Sequence, residues 1–244
     1  MAWRAGSIIQ YSNHLDHLAP LSIQLQIPII LTDEKLEPLL NKYYPPTLYH
    51  LVERNKINPA SCHTWFDLIL TTETQWAAKF ASIKPFRFAY LPHGQSDKTA
   101  PLSLKNFANQ GDIYFYYGSR MLKTLEHQKL LKSPSHAIAT GNFRHSFYQE
   151  HRSFYDQLVK REILSQINQS NPTFLYAPTW NDKPDASSFT KYYLPLIQQL
   201  PDNTNLIIKL HPLLENEYPS EVFYLKELCA TKDNLALLIH TPII

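Results

Sequence analysis

Residues 86–98 read Phe-Arg-Phe-Ala-Tyr-Leu-Pro-His-Gly-Gln-Ser-Asp-Lys. The first six form an apolar run with aromatic residues, which predicts a strand that enters a hydrophobic core. The strand ends in Pro-His-Gly and is followed by serine, aspartate and lysine. In α/β proteins, ligands bind outside the carboxyl ends of parallel strands, where the loops converge. This stretch therefore predicts an α/β fold and makes His93, Gly94 and Lys98 candidate site residues.

Strand-like and helix-like segments alternate along the rest of the chain, which is the pattern of βαβ units and parallel sheets. Two such series are separated by a polar helical stretch, residues 149–168. Polar residues that could cap helices are Thr32 or Asp33, Thr71 or Thr72, and Ser119. The strand candidates are residues 7–10, 27–32, 66–70, 86–91, 113–117, 173–177, 206–210 and 235–239. The helix candidates are residues 15–25, 73–78, 119–131, 192–200 and 221–230 and one that begins near residue 34.

Composition limits the classes of function. A net charge of +2 over 244 residues gives no reason to expect nucleic acid as a partner. Residues 101–165 nevertheless carry nine Lys+Arg against five Asp+Glu, which suits either an anionic ligand or a solvated helix face. Cys62 and Cys229 have no metal-ligand or disulfide spacing and fit a reducing cytosol. No apolar run approaches the ~20 residues that span a bilayer, and residues 1–6 lack a long apolar segment, so we expect neither a membrane span nor a signal peptide.

Three further polar segments belong with His93. Residues 177–182 (Ala-Pro-Thr-Trp-Asn-Asp) and 209–212 (Lys-Leu-His-Pro) each follow a strand, and residues 140–144 (Thr-Gly-Asn-Phe-Arg) form a glycine turn that delivers an arginine. Four of the five glycines lie between residues 94 and 141. We expect these segments to face one cleft between the two series, where two histidines, two lysines and an arginine would bind a phosphate or diphosphate. Histidine also suits removal of a proton from a hydroxyl near neutral pH.

The order of these segments resembles the CDP-glycerol glycerophosphotransferase family, the teichoic-acid polymerase group of GT-B-fold transferases. That family's motifs run approximately W-H-G-T-P-x-K, G-x-P-R-N-D, Y-A-P-T-[WFY] and [RK]-x-H-P, and the match extends from about residue 86 to residue 212. The resemblance implies a GT-B-like α/β fold. Residues 1–148 would form an N-terminal Rossmann-like, acceptor-side domain. Residues 149–244 would form a linker helix and the first part of a second, donor-side domain.

The resemblance also implies roles for particular residues. His93 would be the base for the acceptor hydroxyl, and His211 would lie against the donor's diphosphate or glycerol phosphate, so both are catalytic candidates. No cofactor and no metal are predicted. The predicted partners are CDP-glycerol or another nucleotide-activated donor and a polymer or lipid-linked acceptor, with peripheral contact at the inner face of the cytoplasmic membrane. The substrate-binding candidates are Gly94, Lys98, Gly141, Arg144, Thr179 and Lys209.

The chain departs from the family pattern in several places. The tryptophan and threonine around His-Gly are replaced by Pro92 and Gln95, and the Arg-Asn-Asp triplet has become Arg144-His145-Ser146. The last predicted strand is followed only by residues 240–244, before the family's later Asp-x-x-Ser segment, so we expect a C-terminally truncated form. Two alternatives follow: a sugar-nucleotide glycosyltransferase or epimerase of the same fold, or a truncated, non-catalytic remnant. His17 with Pro20 is similar to a Gly-His-x-x-Pro loop of GT-B glycosyltransferases, or is an ordinary helix-entry histidine.

Overall fold

A computed structural model of the chain describes residues 4–73, 75–76, 87–92, 112–129, 137–181 and 187–239. These residues form two compact units that divide between Arg152 and Ser153. Every strand pair in the described ranges is parallel. Parallel sheets need apolar cover on both faces, which explains the near-continuous apolar runs in the central strands.

The first unit contains a seven-stranded sheet with the order β3-β2-β1-β4-β5-β6-β7. Chain order reverses between β1 and β4, so those two neighbouring strands mark the point where crossovers change direction. The central strand β1 is buried along almost its whole length. The strands are β1 (Ala5–Ile9), β2 (Ile29–Leu31), β3 (Tyr49–Leu51), β4 (Leu68–Thr71), β5 (Arg87–Tyr90), β6 (Ile113–Tyr116) and β7 (Ala137–Ala139).

Helices pack against this sheet and bury its apolar side chains. Ile8, Ile69, Phe88 and Tyr114 come from four adjacent strands and share one core with Phe66. No helix in the described part of the chain is long and apolar enough to cross a membrane. The helices are α1 (Ser12–Gln24), α2 (Leu36–Tyr43), α3 (Pro59–Trp65), α4 (Ser119–His127) and α5 (Phe143–Glu150), and α6 (Arg152–Glu162) runs across the division between the units.

The second unit contains a three-stranded parallel sheet with the order β10-β9-β8. Its core combines alternate residues of β9 (Leu206, Ile208 and Leu210 just beyond it) with apolar residues of the helices. The strands are β8 (Thr173–Tyr176), β9 (Asn205–Lys209) and β10 (Leu235–Leu238). In the described residues of this unit the helices are α7 (Phe189–Gln198), α8 (Pro212–Glu217) and α9 (Pro219–Thr231), and one turn of 3₁₀ helix spans Leu164–Gln166.

Several local predictions need correction. The cap predicted at Ser119 is wrong: Gly118 occupies the N-cap, and α4 ends four residues early because Lys129 adopts a left-handed φ of 54°. The helical stretch predicted over 149–168 is broken at His151 and continues as α6. Strands β3 and β7 and helices α3 and α8 were not predicted. Their length of three to seven residues leaves too few positions for a recognisable period.

Gly6 lets β1 approach Phe66 closely. A Cβ added at Gly6 would lie 2.7 Å from Cε1 of Phe66, which is 1% exposed and cannot move aside. We expect Gly6→Ala to lower the free energy of unfolding by about 1–3 kcal/mol, as overpacked cores do. Denaturant unfolding of Gly6→Ala, Phe66→Leu and the double variant measures the coupling. The double variant should lose less than the two single losses combined, and strict additivity would contradict the predicted contact.

Candidate functional site

In the first unit, polar residues gather where chain order reverses, between the carboxyl ends of β1 and β4. This is the position at which doubly wound sheets bind ligands. Gln10 follows β1 and Thr72 follows β4, and both are buried. Nε2 of Gln10 and Oγ1 of Thr72 make no hydrogen bond within the described residues. Buried polar atoms without a partner are rare in folded proteins, and because two of them lie at the point where chain order reverses, we take this crevice as a candidate site.

An acid–base pair lies beside the crevice. His14, in the first turn of α1, is 2% exposed, and its Nε2 lies 3.2 Å from Oε1 of Glu73, which follows β4. Nε2 of Gln75 donates to Oε1 of Gln10 at 3.1 Å, and Nη2 of Arg54 donates to Oε1 of Gln75 at the same distance. The pair and this chain of hydrogen bonds from Arg54 through Gln75 to Gln10 together provide both donors and acceptors at the β1–β4 edge.

A second network joins the end of β6 to the segment after β5. The hydroxyl of Tyr117 donates to the carbonyl oxygen of Pro92 at 2.8 Å. That donation uses the only hydroxyl proton, so Nδ1 of His17, 3.1 Å from the same oxygen, must be the donor in its own bond to Tyr117. All three residues are buried. The two bonds fix the backbone at Pro92, the residue that directly precedes His93 in the sequence.

The tyrosines near this network hold their protons strongly. Burial raises the pKa of Tyr117 to about 12, although the positive charge of Arg144 opposes the shift. Burial also raises the pKa of Tyr90, to which the charge of Glu73 adds, and the pKa of Tyr114. These phenols are therefore neutral hydrogen-bonding groups at physiological pH and not candidate bases.

The turn after β7 delivers Arg144, as the sequence predicts. Gly141 has a φ of +62°. Asn142 is the N-cap of α5, and its Oδ1 accepts a hydrogen bond from the amide of His145 in the first turn. The ring of Phe143 stacks on Tyr117 with centroids 5.9 Å apart and planes within 9°. Nε of Arg144 is buried and forms no hydrogen bond among the described residues. Arg144 is thus a partly buried cation at the carboxyl edge of the first sheet.

In the second unit, the segments after β8 and β9 leave the same edge of the sheet. Ring centroids of Trp180, after β8, and His211, after β9, are 6.0 Å apart. Oδ1 of Asn181 accepts the amide of Ser187 at 2.7 Å, and Nδ2 of Asn181 donates to the hydroxyl of Tyr218. These bonds hold the loop that carries Thr179, whose side chain is exposed.

The imidazole of His211 is fixed in one tautomer when neutral. Its Nδ1 accepts the amide N–H of Leu213 at 3.2 Å, at the N-cap of α8. The proton of the neutral ring is therefore on Nε2, which makes Nε2–H a hydrogen-bond donor. Lys209, the last residue of β9, lies two residues before His211 and is partly buried. Thr179, Lys209 and His211 accordingly lie at one edge of one sheet.

The predicted site residues fall into three groups. Thr179, Lys209 and His211 come together in the second unit, and Gly141 and Arg144 come together in the first. His93, Gly94 and Lys98 lie outside the described residues. The single cleft that would unite these groups stays a prediction, as do their roles. Within the described ranges, no three His, Cys, Asp or Glu side chains gather into a metal-binding group.

Sequence reasoning missed several polar residues of the first unit: His14, Glu73, Gln75 and Tyr117. Glu73 had a usable signal, because it directly follows the two threonines, Thr71 and Thr72, that come after an apolar run. Tyr117 had none, since His17 lies 100 residues away in the chain. An open depression with a volume of about 1160 Å³ lies over the carboxyl ends of β1, β2 and β3, and the sequence did not predict it. Its lining includes Gln10, Thr32, Asp33, Glu53 and Arg54.

Solved structures resemble this chain, whereas no family model and no curated protein matches its sequence. A variant of the wall teichoic acid polymerase TagF aligns over 96% of this chain and 60% of its own, with a TM-score of 0.66 and 12% identity. The UDP-N-acetylglucosamine 2-epimerase from Rickettsia bellii aligns over 100% and 70%, with a TM-score of 0.61 and 11% identity. The UDP-GlcNAc 2-epimerase from Neisseria meningitidis, bound to UDP-GlcNAc, aligns over 96% and 71%, with a TM-score of 0.57 and 11% identity.

The likeness confirms the predicted fold class. The chain has an α/β Rossmann-like fold, and its structural neighbours are enzymes of the GT-B type. At 11–12% identity the likeness shows the fold alone. The chain spans 57% to 60% of the length of the TagF structures that it matches.

The raised pKa of Tyr117 predicts a loss of stability at alkaline pH. An unfolded tyrosine releases its proton near pH 10, whereas the folded residue retains it to about pH 12. Between these values the unfolded state binds fewer protons, so the free energy of unfolding falls as pH rises. Denaturant unfolding at a series of pH values should show this fall, and Tyr117→Phe should make it shallower. An unchanged slope in the variant would contradict the assignment.

Gly141 allows a second prediction. Its positive φ disfavours any residue with a Cβ, yet no atom of the described residues lies within 4 Å of an added Cβ. Gly141→Ala should therefore cost about 1–2 kcal/mol of stability through backbone strain alone. Gly141→Asn should cost less, because asparagine tolerates the left-handed region. Thermal unfolding of the two variants provides the comparison, and equal losses would show that the cause is not backbone conformation.

Proposed function

We propose that the chain belongs to a transferase that moves glycerol phosphate from CDP-glycerol to a hydroxyl of a polymer or lipid-linked acceptor. The acceptor oxygen attacks the phosphorus that bears glycerol. The bond from that phosphorus to the bridging oxygen breaks, and CMP leaves with the electron pair. The acceptor proton passes to a base. Such an acceptor would bring the protein to the inner face of the cytoplasmic membrane.

The observation that carries this proposal is the arrangement in the second unit. Tyr-Ala-Pro-Thr-Trp (176–180) and Lys-Leu-His-Pro (209–212) leave adjacent parallel strands, and Trp180 and His211 face each other at 6.0 Å. Nε2–H of His211 and the ammonium of Lys209 are the donors that a departing phosphate needs. The TagF structures, one of which was soaked with CDPG, provide independent support through their fold.

The remaining residues take roles that follow the motif match. His93 is the proposed base, and Gly94 and Lys98 after it contact the donor. Arg144 is the proposed cation from the first unit, presented by the turn at Gly141. Thr179 contributes its exposed hydroxyl beside Trp180. The buried network of His17 and Tyr117 supports this arrangement, because it fixes the backbone one residue before His93.

Release of CMP from CDP-glycerol in the presence of a polyol phosphate acceptor tests the proposal. His93→Ala and His211→Ala should each reduce the rate by about 100-fold or more, the usual loss when a base or a charge-stabilising donor is removed. Lys209→Ala should mainly raise KM, by about tenfold, if it binds the donor in its ground state. His127→Ala, which removes an exposed histidine at the end of α4, is the matched control and should keep full activity.

Two results would contradict the proposal. One is CMP release that is indifferent to His211→Ala in a variant with an unchanged thermal transition. The other is no release from CDP-glycerol by a folded chain, which would favour the non-catalytic remnant. Activity on a sugar nucleotide would instead support the alternative below.

A second candidate function is conversion or transfer of a nucleotide-activated sugar. Two 2-epimerases also resemble the chain, with TM-scores of 0.57 and 0.61 against 0.66 for the polymerase variant, and one of them is bound to UDP-GlcNAc. The partly exposed carboxylate of Glu73, which lies 3.2 Å from the buried ring of His14, favours this candidate, because removal of a proton from a sugar carbon requires a base. Incubation with UDP-GlcNAc, followed by NMR of the sugar ring and by UDP release, distinguishes the two functions. Glu73→Gln should abolish the sugar reaction and spare CMP release.

A further inference from the structure

The open depression over the carboxyl ends of β1, β2 and β3 has no ligand in either proposed reaction. Three segments of the first unit line it: residues 10–11 after β1, residues 32–34 after β2, and residues 51–56 at the end of β3 and beyond it. Its volume of about 1160 Å³ lies slightly above the roughly 300–1,000 Å³ that is usual for small-molecule sites. The depression therefore has room for a ligand larger than one sugar ring.

Hydrogen bonds fix the orientation of one amide in the lining. A guanidinium only donates, so the Gln75 atom that lies 3.1 Å from Nη2 of Arg54 must be Oε1. The Gln75 atom that faces Gln10 is consequently Nε2, and its acceptor at 3.1 Å must be Oε1 of Gln10. Nε2 of Gln10 remains as a donor that makes no hydrogen bond within the described residues. Gln10 is 6% exposed and lines the depression, so a ligand oxygen there can accept this bond.

Thr32 provides a second unsatisfied group beside Gln10. Ile9 and Leu31 are register partners in β1 and β2, and Gln10 and Thr32 are the residues that directly follow them. The backbone amide of Thr32 donates to the carbonyl oxygen of Ile9 at 3.1 Å, which keeps the two strands together at this point. Oγ1 of Thr32 is buried and has no hydrogen-bond partner among the described residues. An amide and a hydroxyl therefore lie side by side in the lining.

The charges of the lining favour a neutral ligand. Oε1 of Glu53 and Nζ of Lys56 lie 2.8 Å apart, so these two charges neutralise each other. The other charged residues of the lining are two carboxylates, Asp33 and Glu34, and one guanidinium, Arg54, which gives no surplus of positive charge to attract a phosphate. Carboxylates, amides and a guanidinium present acceptors and donors together. This mixture suits hydroxyl groups, because each hydroxyl both donates and accepts.

We propose that this depression binds a neutral oligosaccharide. Sugar oxygens accept hydrogen bonds from Nε2 of Gln10 and from the Thr32 hydroxyl, and sugar hydroxyls donate to the carboxylate of Asp33. Tyr11 is 46% exposed, and its ring, which packs at 84° to that of His14, provides an aromatic surface for the C–H groups of a sugar ring. The proposal does not rest on the proposed function, because it concerns binding without turnover and uses no residue of the second unit.

Titration with neutral trisaccharides tests the proposal. The probes are maltotriose, cellotriose and triacetylchitotriose, and saturation-transfer NMR should detect binding of at least one of them. Thr32→Val replaces the hydroxyl by a methyl group of similar size. It should raise the Kd about fivefold, the usual result of losing one hydrogen bond, and should not lower Tm, because the described structure gives this hydroxyl no partner to lose. Thr124→Val, which removes a hydroxyl that donates to the carbonyl of Arg120 on α4, is the matched control and should keep the native Kd.

Asp33→Asn distinguishes a neutral ligand from an anion. Oδ1 of Asp33 accepts the amide of Lys35 at 3.0 Å, and asparagine can accept the same bond, so the turn is retained. Loss of the charged acceptor should raise the Kd for the trisaccharide about tenfold. Added salt should leave the Kd of the native chain unchanged, because the ligand is uncharged.

Three results would overturn the proposal, and none of them depends on CMP release. The first is that none of the trisaccharides binds. The second is binding that is unchanged in both Thr32→Val and Asp33→Asn, which would place the ligand elsewhere. The third is binding of inorganic phosphate that tightens in Asp33→Asn while trisaccharides do not compete, which would show an anion site. Circular dichroism melting confirms that each variant is folded.

Discussion

The pairing of β1 with β4 is the constraint on which the first unit depends. It brings together strands about sixty residues apart in sequence, and it reverses the strand order so that crossovers cover both faces of the sheet. The pairing is tight: Gly6 of β1 lies against Phe66, and no side chain larger than hydrogen fits between them. The crevice that contains Gln10, His14 and Glu73 exists because the connections that leave β1 and β4 run toward opposite ends of the sheet.

The order of elements was predictable because each central strand is a short apolar run with turn or cap residues after it. The segment before Pro92 is an example, and it indeed forms β5 against β4. The edge strands β3 and β7 escaped prediction for a physical reason. They are partly exposed and three residues long, so hydrophobic burial, which produces the recognisable pattern, is weak in them.

The candidate site was predictable only in part. Lys209, His211 and Thr179 could be found because residues that follow strands share one edge of a parallel sheet, and that rule needs only local sequence. The His17–Tyr117 and His14–Glu73 contacts arise from the packing of α1 on distant strands, and no local pattern encodes them. His93 remains a prediction that rests on its motif.

The two units differ in the chemistry of the groups that they present, and that difference bears on function. At the β1–β4 crevice the first unit offers the imidazole of His14 and the carboxylate of Glu73, groups that hold or move protons. The second offers Lys209 and the donor Nε2–H of His211, which suit an anionic leaving group.

Fold likeness alone does not separate a glycerophosphotransferase from an epimerase, because one scaffold can serve both reactions. The two proposed functions make different demands on the crevice. A transferase needs a base for an acceptor hydroxyl, whereas an epimerase needs groups that remove and return a proton at a sugar carbon. His14 is 2% exposed, so its ring holds the Glu73 carboxylate in place and does not itself reach a ligand, whereas Glu73 is 25% exposed. Glu73, more than any cation of the second unit, is therefore the residue whose chemistry discriminates between the two functions.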